Sequence, residues 1–254
     1  MVTSGVVAFF RKATISLRSP RSAATVFLAL AGLALAAPAP AWAWASVRPS
    51  RPTLSKAGDT QAQGDESQSV AVRRVADWIA ASGDNGSLPY LIVDKKAASA
   101  LLFGAKGKLI SQAPVLDGIA PGDDATPGFG SKKLAEIGPA EKTTPAGRFL
   151  ARYGLAAGRQ KVLWVDYAAS VALHPIPKDA SPKERRRQRM LSPTADDHRI
   201  TFGCINVPTA FYQKNVRPLF LRKGGYVYVL PDTKPLDVVF PSLRAQASSI
   251  ASAP

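Results

Sequence analysis

From Leu88 onward the chain is a succession of short apolar runs, each cut off by a glycine- or lysine-bearing turn. Residues 89–94 (PYLIVD), 100–103 and 108–115 come first, with Lys95-Lys96 and 104–107 between them. Then come 149–152, 162–167, 171–174, 199–205 and 226–230. Runs of this length are too short for helices and suit strands, and turns this close join antiparallel neighbours. The chain is therefore expected to be mainly β, with a meander of antiparallel strands. Two stretches break the pattern. Residues 117–130 (DGIAPGDDATPGFG) are too rich in Gly, Pro and Asp for regular structure and read as a long loop. Residues 178–199 are polar and highly charged, with the run Lys183-Glu184-Arg185-Arg186-Arg187-Gln188-Arg189, and read as an excursion from the domain, partly helical or mobile.

Upstream the signals differ. Arg11, Lys12, Arg18 and Arg21, with no acidic residue among them, precede an apolar run at 23–37 that is short for a membrane span. Pro38 and Pro40 break it, and Ala41-Trp42-Ala43 and Ala43-Trp44-Ala45 are small-x-small cleavage patterns. Residues 1–45 thus read as a secretory signal peptide, the alternative being an uncleaved anchor, which would be the chain's sole membrane attachment. Residues 46–66 hold almost nothing to bury and read as a flexible linker. Within 67–87, Val72, Val75, Ala76 and Ile79 share a face at helical spacing, predicting an amphipathic helix stopped at Gly83. Residues 88–240 form the expected main domain, and 241–254 a disordered tail. The formal net charge of +15 falls to about +11 once the leader is removed, and favours an anionic partner.

Cys204 is the sole cysteine of the 254 residues, so no internal disulfide exists. A free cysteine is either a small buried hydrophobe or a nucleophile. Export sharpens the choice, because an oxidising compartment selects for paired cysteines or none. Gly203 allows close approach of a backbone, and Asn206-Val207-Pro208 reads as the start of a helix. Such a helix would place the thiol at a positive N-terminal end. The two histidines, His174 and His198, both lie upstream; they are too few for most metal sites, and no zinc spacing occurs.

Three features in order now carry a family likeness: the turn Thr144-Pro145-Ala146-Gly147, a histidine at a strand end (His174), and Thr201-Phe202-Gly203-Cys204-Ile205-Asn206. Together with the opening strands they resemble the L,D-transpeptidase catalytic domain of the YkuD type, over roughly 89–232. That family has a Ser/Thr-His-Gly-Cys-aliphatic-Arg/Asn block. Phe202 stands here in place of its histidine, and the upstream histidine lies further from the cysteine than is usual, by an amount the charged stretch 178–199 could supply.

The resemblance implies a mainly β fold, an antiparallel sandwich or barrel with a helix after the cysteine; the amphipathic helix predicted within 67–87 would precede it. It implies an enzyme of the periplasm or cell envelope acting on peptidoglycan stem peptides through a Cys204 thioester. Transfer to a neighbouring stem, to a wall-attached protein or to water would follow. His174 is the implied base, and Gly203, Thr201 and Asn206 the implied oxyanion and substrate-binding residues. No metal or organic cofactor is implied. His198 is closer in sequence, but six extended residues would carry it roughly 20 Å from Cys204, so it reads as a loop histidine. The rival reading is a non-catalytic wall-binding module of the same fold. Nucleic-acid binding through 183–189 ranks last, because it conflicts with export.

Overall fold

The computed structural model describes residues 68–156 and 160–244. The signal-peptide and linker readings, and most of the tail, lie outside the described residues.

Among the described residues ten strands form: β1 (Tyr90–Asp94), β2 (Ser99–Phe103), β3 (Leu109–Pro114), β4 (Asp117–Gly118), β5 (Gly147–Leu155), β6 (Lys161–Asp166), β7 (Val171–Pro175), β8 (Arg199–Thr201), β9 (Ile205–Val207) and β10 (Gly225–Val229). Eight make one sheet in the order β3-β2-β1-β10-β5-β6-β7-β9, and β4 pairs with β8. The hairpins are antiparallel, as short turns require. Three pairings are parallel: β1 with β10, β7 with β9, and β4 with β8. After β3 the chain returns to β9, where Leu116 and Asn206 exchange both backbone hydrogen bonds at 2.9 and 2.8 Å. The sheet is thereby nearly closed into a barrel, and the fold is mainly β.

Side chains of a strand alternate between faces. In β1, Leu91 and Val93 point into the barrel with Leu163, Leu173, Ile205 and Val227, while Tyr90 and Ile92 point outward. Both faces of β1 are buried because the helix α1 (Val70–Ser82) lies over the outer one. Its Val72, Val75, Trp78 and Ile79 are buried against Tyr90, Ile92, Leu101 and Tyr228. Each such side chain contributes about 1.5–3 kcal/mol on burial. Ser69 caps α1, accepting from Val72 N at 3.2 Å, and donates to Asp94 at the end of β1 at 2.6 Å. Gly83 ends it at φ 66°, a left-handed cap open to glycine. Leu243, placed by sequence in the tail, is buried in this outer core, since Phe240 and Leu243 supply apolar cover that α1 alone does not.

The helical segment 209–220 packs on the inner core, into which Phe211, Tyr212, Val216 and Phe220 enter. No helix among the described residues is long and apolar enough to cross a membrane.

Candidate active site

Cys204 lies on the short link between β8 and β9. The strand Ile205–Val207 intervenes before the helix begins at Thr209, so the thiol is not at a helix N-terminus. The reading of 206–208 as helix start gave way to the parallel pairing of Ile205 with Leu173, which draws these residues into the sheet. What surrounds the sulfur is instead strand β7 and its turn. Sγ faces the Ser170 carbonyl at 3.7 Å. Burial pushes the thiol's pKa up, while the Ala172 backbone N–H and the Arg186 guanidinium pull the other way.

On β7, His174 is the register partner of Asn206 on β9. Cys204, on the link just before β9, therefore lies two residues ahead of the partner of His174. His174 Nδ1 is 2.8 Å from the Pro175 carbonyl oxygen. A carbonyl only accepts, so Nδ1 carries the proton and Nε2 the lone pair. Burial lowers the imidazole's pKa, the Pro175 carbonyl opposes this, and Arg186 adds to it. Burial thus favours the neutral ring, with the lone pair on Nε2.

His198 is fully engaged elsewhere. It ends a short 3-10 turn, Ala195–His198, with Nδ1 2.6 Å from Val115 O and Nε2 3.0 Å from Ser192 O. It ties the charged excursion to the end of β3.

The cysteine link is shaped by the Thr143-Thr144-Pro145 turn. Thr144 Oγ1 donates to Gly203 O at 2.8 Å and accepts from Gly118 N at 2.9 Å. Gly203 has φ +120°, and a Cβ there would lie 2.7 Å from Thr143 O, so glycine is required on both counts. Thr201 Oγ1 donates to Cys204 O at 2.6 Å and accepts from Gly203 N at 3.1 Å. The Gly203 N–H, expected from sequence to be free for an oxyanion, is thereby occupied, because the tight turn folds it onto Thr201. Phe202 packs under the Lys142 ammonium, 3.8 Å from its ring centroid.

Beneath this link lies a charged cluster that sequence reasoning missed. Lys95 Nζ, almost wholly buried, donates to Gly122 O at 2.6 Å, Thr144 O at 2.8 Å and Asp123 at 3.1 Å. It also pairs with Asp232 at 3.2 Å. Arg199 of β8 grips both oxygens of Asp232 at 2.8 and 3.2 Å. Burial alone would raise Asp123, but the backbone N–H groups of Lys234, Asp232 and Thr233 hold it well below the carboxylate range. Burial likewise opposes ionisation of Asp232, and Arg199 and Lys95 outweigh it. Asp117 differs. Both its oxygens are buried without a hydrogen bond, and burial pushes it up to about 7 despite Arg199. The sole sequence signal was Lys95-Lys96 at a turn, which reads as surface.

The excursion is partly helical, with a short helix at Arg186–Arg189. Met190 is buried, and Arg186 Nη1 donates to Asn206 Oδ1 at 2.8 Å. Asn206 is itself buried, with its Nδ2 unpartnered. Of the sequence-named residues, Thr201 binds the backbone of Cys204 and Gly203, and His174 pairs with Asn206 across the strands, whereas His198 is bonded to Val115 and Ser192.

The chain is similar to solved L,D-transpeptidase domains. A Xylanimonas cellulosilytica L,D-transpeptidase is 13% identical over 56% of this chain and 60% of its own, with a TM-score of 0.33. The catalytic domain of the Enterococcus faecium L,D-transpeptidase is 18% identical over 56% of this chain and 95% of its own, with a TM-score of 0.30. The helical cell shape determining protein Pgp2 of Campylobacter jejuni is 14% identical over 63% of this chain and 56% of its own, with a TM-score of 0.39. This chain thus spans about half the length of several structures that it matches, 48% in the case of the Ldtfm-avibactam carbamoyl enzyme. No protein-family profile matches the sequence, and no curated protein matches it.

Proposed function

We propose that the chain is an exported cysteine L,D-transpeptidase that acts on peptidoglycan stem peptides. The observation that carries this reading is the neutral His174, proton on Nδ1, on the strand that flanks Cys204. A buried thiol with a raised pKa is protonated at neutral pH and needs a base close by. A neutral imidazole with a free Nε2 is such a base.

Nε2 takes the proton from Sγ as the sulfur attacks the carbonyl carbon of the third, diamino residue of a tetrapeptide stem. The carbonyl π pair moves to oxygen. With the Gly203 N–H held by Thr201, the donor left for that oxyanion is the Cys204 N–H; preorganised donors of this kind supply about 3 kcal/mol each. The C–N bond to the terminal D-Ala breaks, its amine takes the proton from His174, and a Cys204 thioester remains. An acceptor amine then attacks the thioester, returns a proton through His174 and restores the thiol. Water in its place gives hydrolysis. Asn206 and Thr201 keep strand β9 and the cysteine link in register for the peptide.

Mature protein incubated with a tetrapeptide stem is expected to release D-Ala and to gain the mass of the acyl group on Cys204. Cys204→Ala should do neither. Turnover by Cys204→Ala, or an unmodified wild-type mass with no D-Ala released, would sink the proposal. A non-catalytic wall-binding module is favoured by one observation: Lys183, Arg185 and Arg187 are exposed on the excursion. Wall pull-down that survives Cys204→Ala, without D-Ala release, would support that second reading.

A further inference from the structure

The basic run 183–189 splits between two faces. Lys183, Arg185 and Arg187 face solvent, whereas Arg186 and Arg189 turn inward. Arg189 secures the excursion to itself, through Glu184 O at 3.1 Å and Asp197 O at 3.0 Å. Arg186 does something else. It leaves the excursion and reaches Asn206 on β9, with Nη1 2.8 Å from Oδ1, while its Nε holds Glu184 at 2.8 Å. Its side chain is 13% exposed, so its charge acts through little intervening water. Asn206 is paired with His174 across the strands and lies two residues beyond Cys204. Arg186 thus brings a positive charge to the strand pair that carries His174 and leads from Cys204.

We propose that Arg186 is a positioning residue for Cys204: the excursion delivers its guanidinium to Asn206, where it offsets the negative charge that gathers on the sulfur. The proposal rests on Cys204 being the nucleophile. The charged and titratable groups on the elements next to the cysteine link are His174 on β7, Arg186 with its partner Glu184 in the excursion, and Lys142 above Phe202. Arg186 opposes a positive charge on His174 as well as favouring a negative one on Cys204. Its distinctive effect is therefore to ease net loss of a proton from the pair, so that thiolate beside neutral imidazole forms at lower pH. Glu184 moderates that effect by neutralising part of the guanidinium charge. The two residues consequently have opposite expected effects, which a merely structural pair would not show.

The experiment is alkylation of Cys204 by iodoacetamide as a function of pH, read by whole-protein mass; a single cysteine makes the reading unambiguous. Arg186→Gln should move the midpoint to higher pH and slow labelling at neutral pH about tenfold, the effect of one pH unit. Arg186→Lys should fall between it and the wild type. Glu184→Gln should move the midpoint to lower pH, and it remains informative if Arg186→Gln does not fold. An unchanged midpoint in Arg186→Gln or in Glu184→Gln, or a shift of both in one direction, overturns the proposal. A wild-type Cys204 that labels only after unfolding overturns the nucleophile reading, and this proposal with it.

Discussion

The hydroxyl of Thr144 donates to the carbonyl oxygen of Gly203, 2.8 Å away, and accepts from the N–H of Gly118. One side chain thus satisfies two buried backbone groups and fixes the residue before Cys204. Thr144→Val keeps the volume and leaves both groups unpaired. A loss of about 1–3 kcal/mol per group is expected in urea unfolding. Thr144→Ser keeps the hydroxyl and should retain most of the stability.

Gly203→Ala tests the same link from the other side. At φ +120° with Thr143 O only 2.7 Å from the added Cβ, the backbone must shift. Strain of about 1–3 kcal/mol is expected from the dihedral alone, with the clash in addition. Calorimetry should show a lowered Tm.

Lys95→Met removes the cation from Asp123 and Asp232 while keeping its apolar stem. Breaking one side of a buried pair costs about 3–5 kcal/mol. Because Lys95 also holds Thr144 O at 2.8 Å, the damage should reach the cysteine link, and Cys204 in the folded variant should alkylate at a different rate from wild type.

Two carboxylates and a third pull stability in opposite directions with pH. Asp123 and Asp232 are depressed in the fold. Their contribution is present above the unfolded carboxylate range and is lost as pH falls through their folded values. Asp117 is raised to about 7, so the folded state binds more protons than the unfolded chain between about 4 and about 7. Stability therefore declines as pH rises through that window. Asp117→Asn should abolish the decline between about pH 4 and about 7 while leaving the acid limb intact, which urea titrations across pH can measure.

His198→Ala should cost stability and spare chemistry. It leaves the Val115 and Ser192 carbonyls without their partner, a loss of about 1–3 kcal/mol. Iodoacetamide labelling of Cys204 at neutral pH should change far less than in His174→Ala.

The strands were legible because each apolar run is short and bounded, as with 89–94 and 226–230. Their partnership was not: β1 and β10 lie at opposite ends of the domain, and no local pattern announces a parallel pair. Around the site, Cys204, Gly203 and His174 stood out because a thiol, a glycine and an imidazole are rare chemistry. Lys95, Arg199 and Asp232 did not, since a charged residue in sequence reads as solvated, and only the closed fold shows that theirs are buried together. Arg186 was hidden for a related reason. In a run of four arginines nothing local tells which one turns inward; the backbone turn at Arg185, with φ 49°, decides it.

The two-way bond between Leu116 and Asn206 also governs how copies of this chain can meet. A sheet with a bare border invites a second chain to continue it. At β9 that border is already taken by Leu116, and Arg186 lies across the Asn206 side chain. Continuation of the sheet is left to β3, where Ile110 is exposed beside Lys108. A chain loosened at the Asn206 end would bare a second border, so damage to the site should show itself in self-association as well as in lost reactivity.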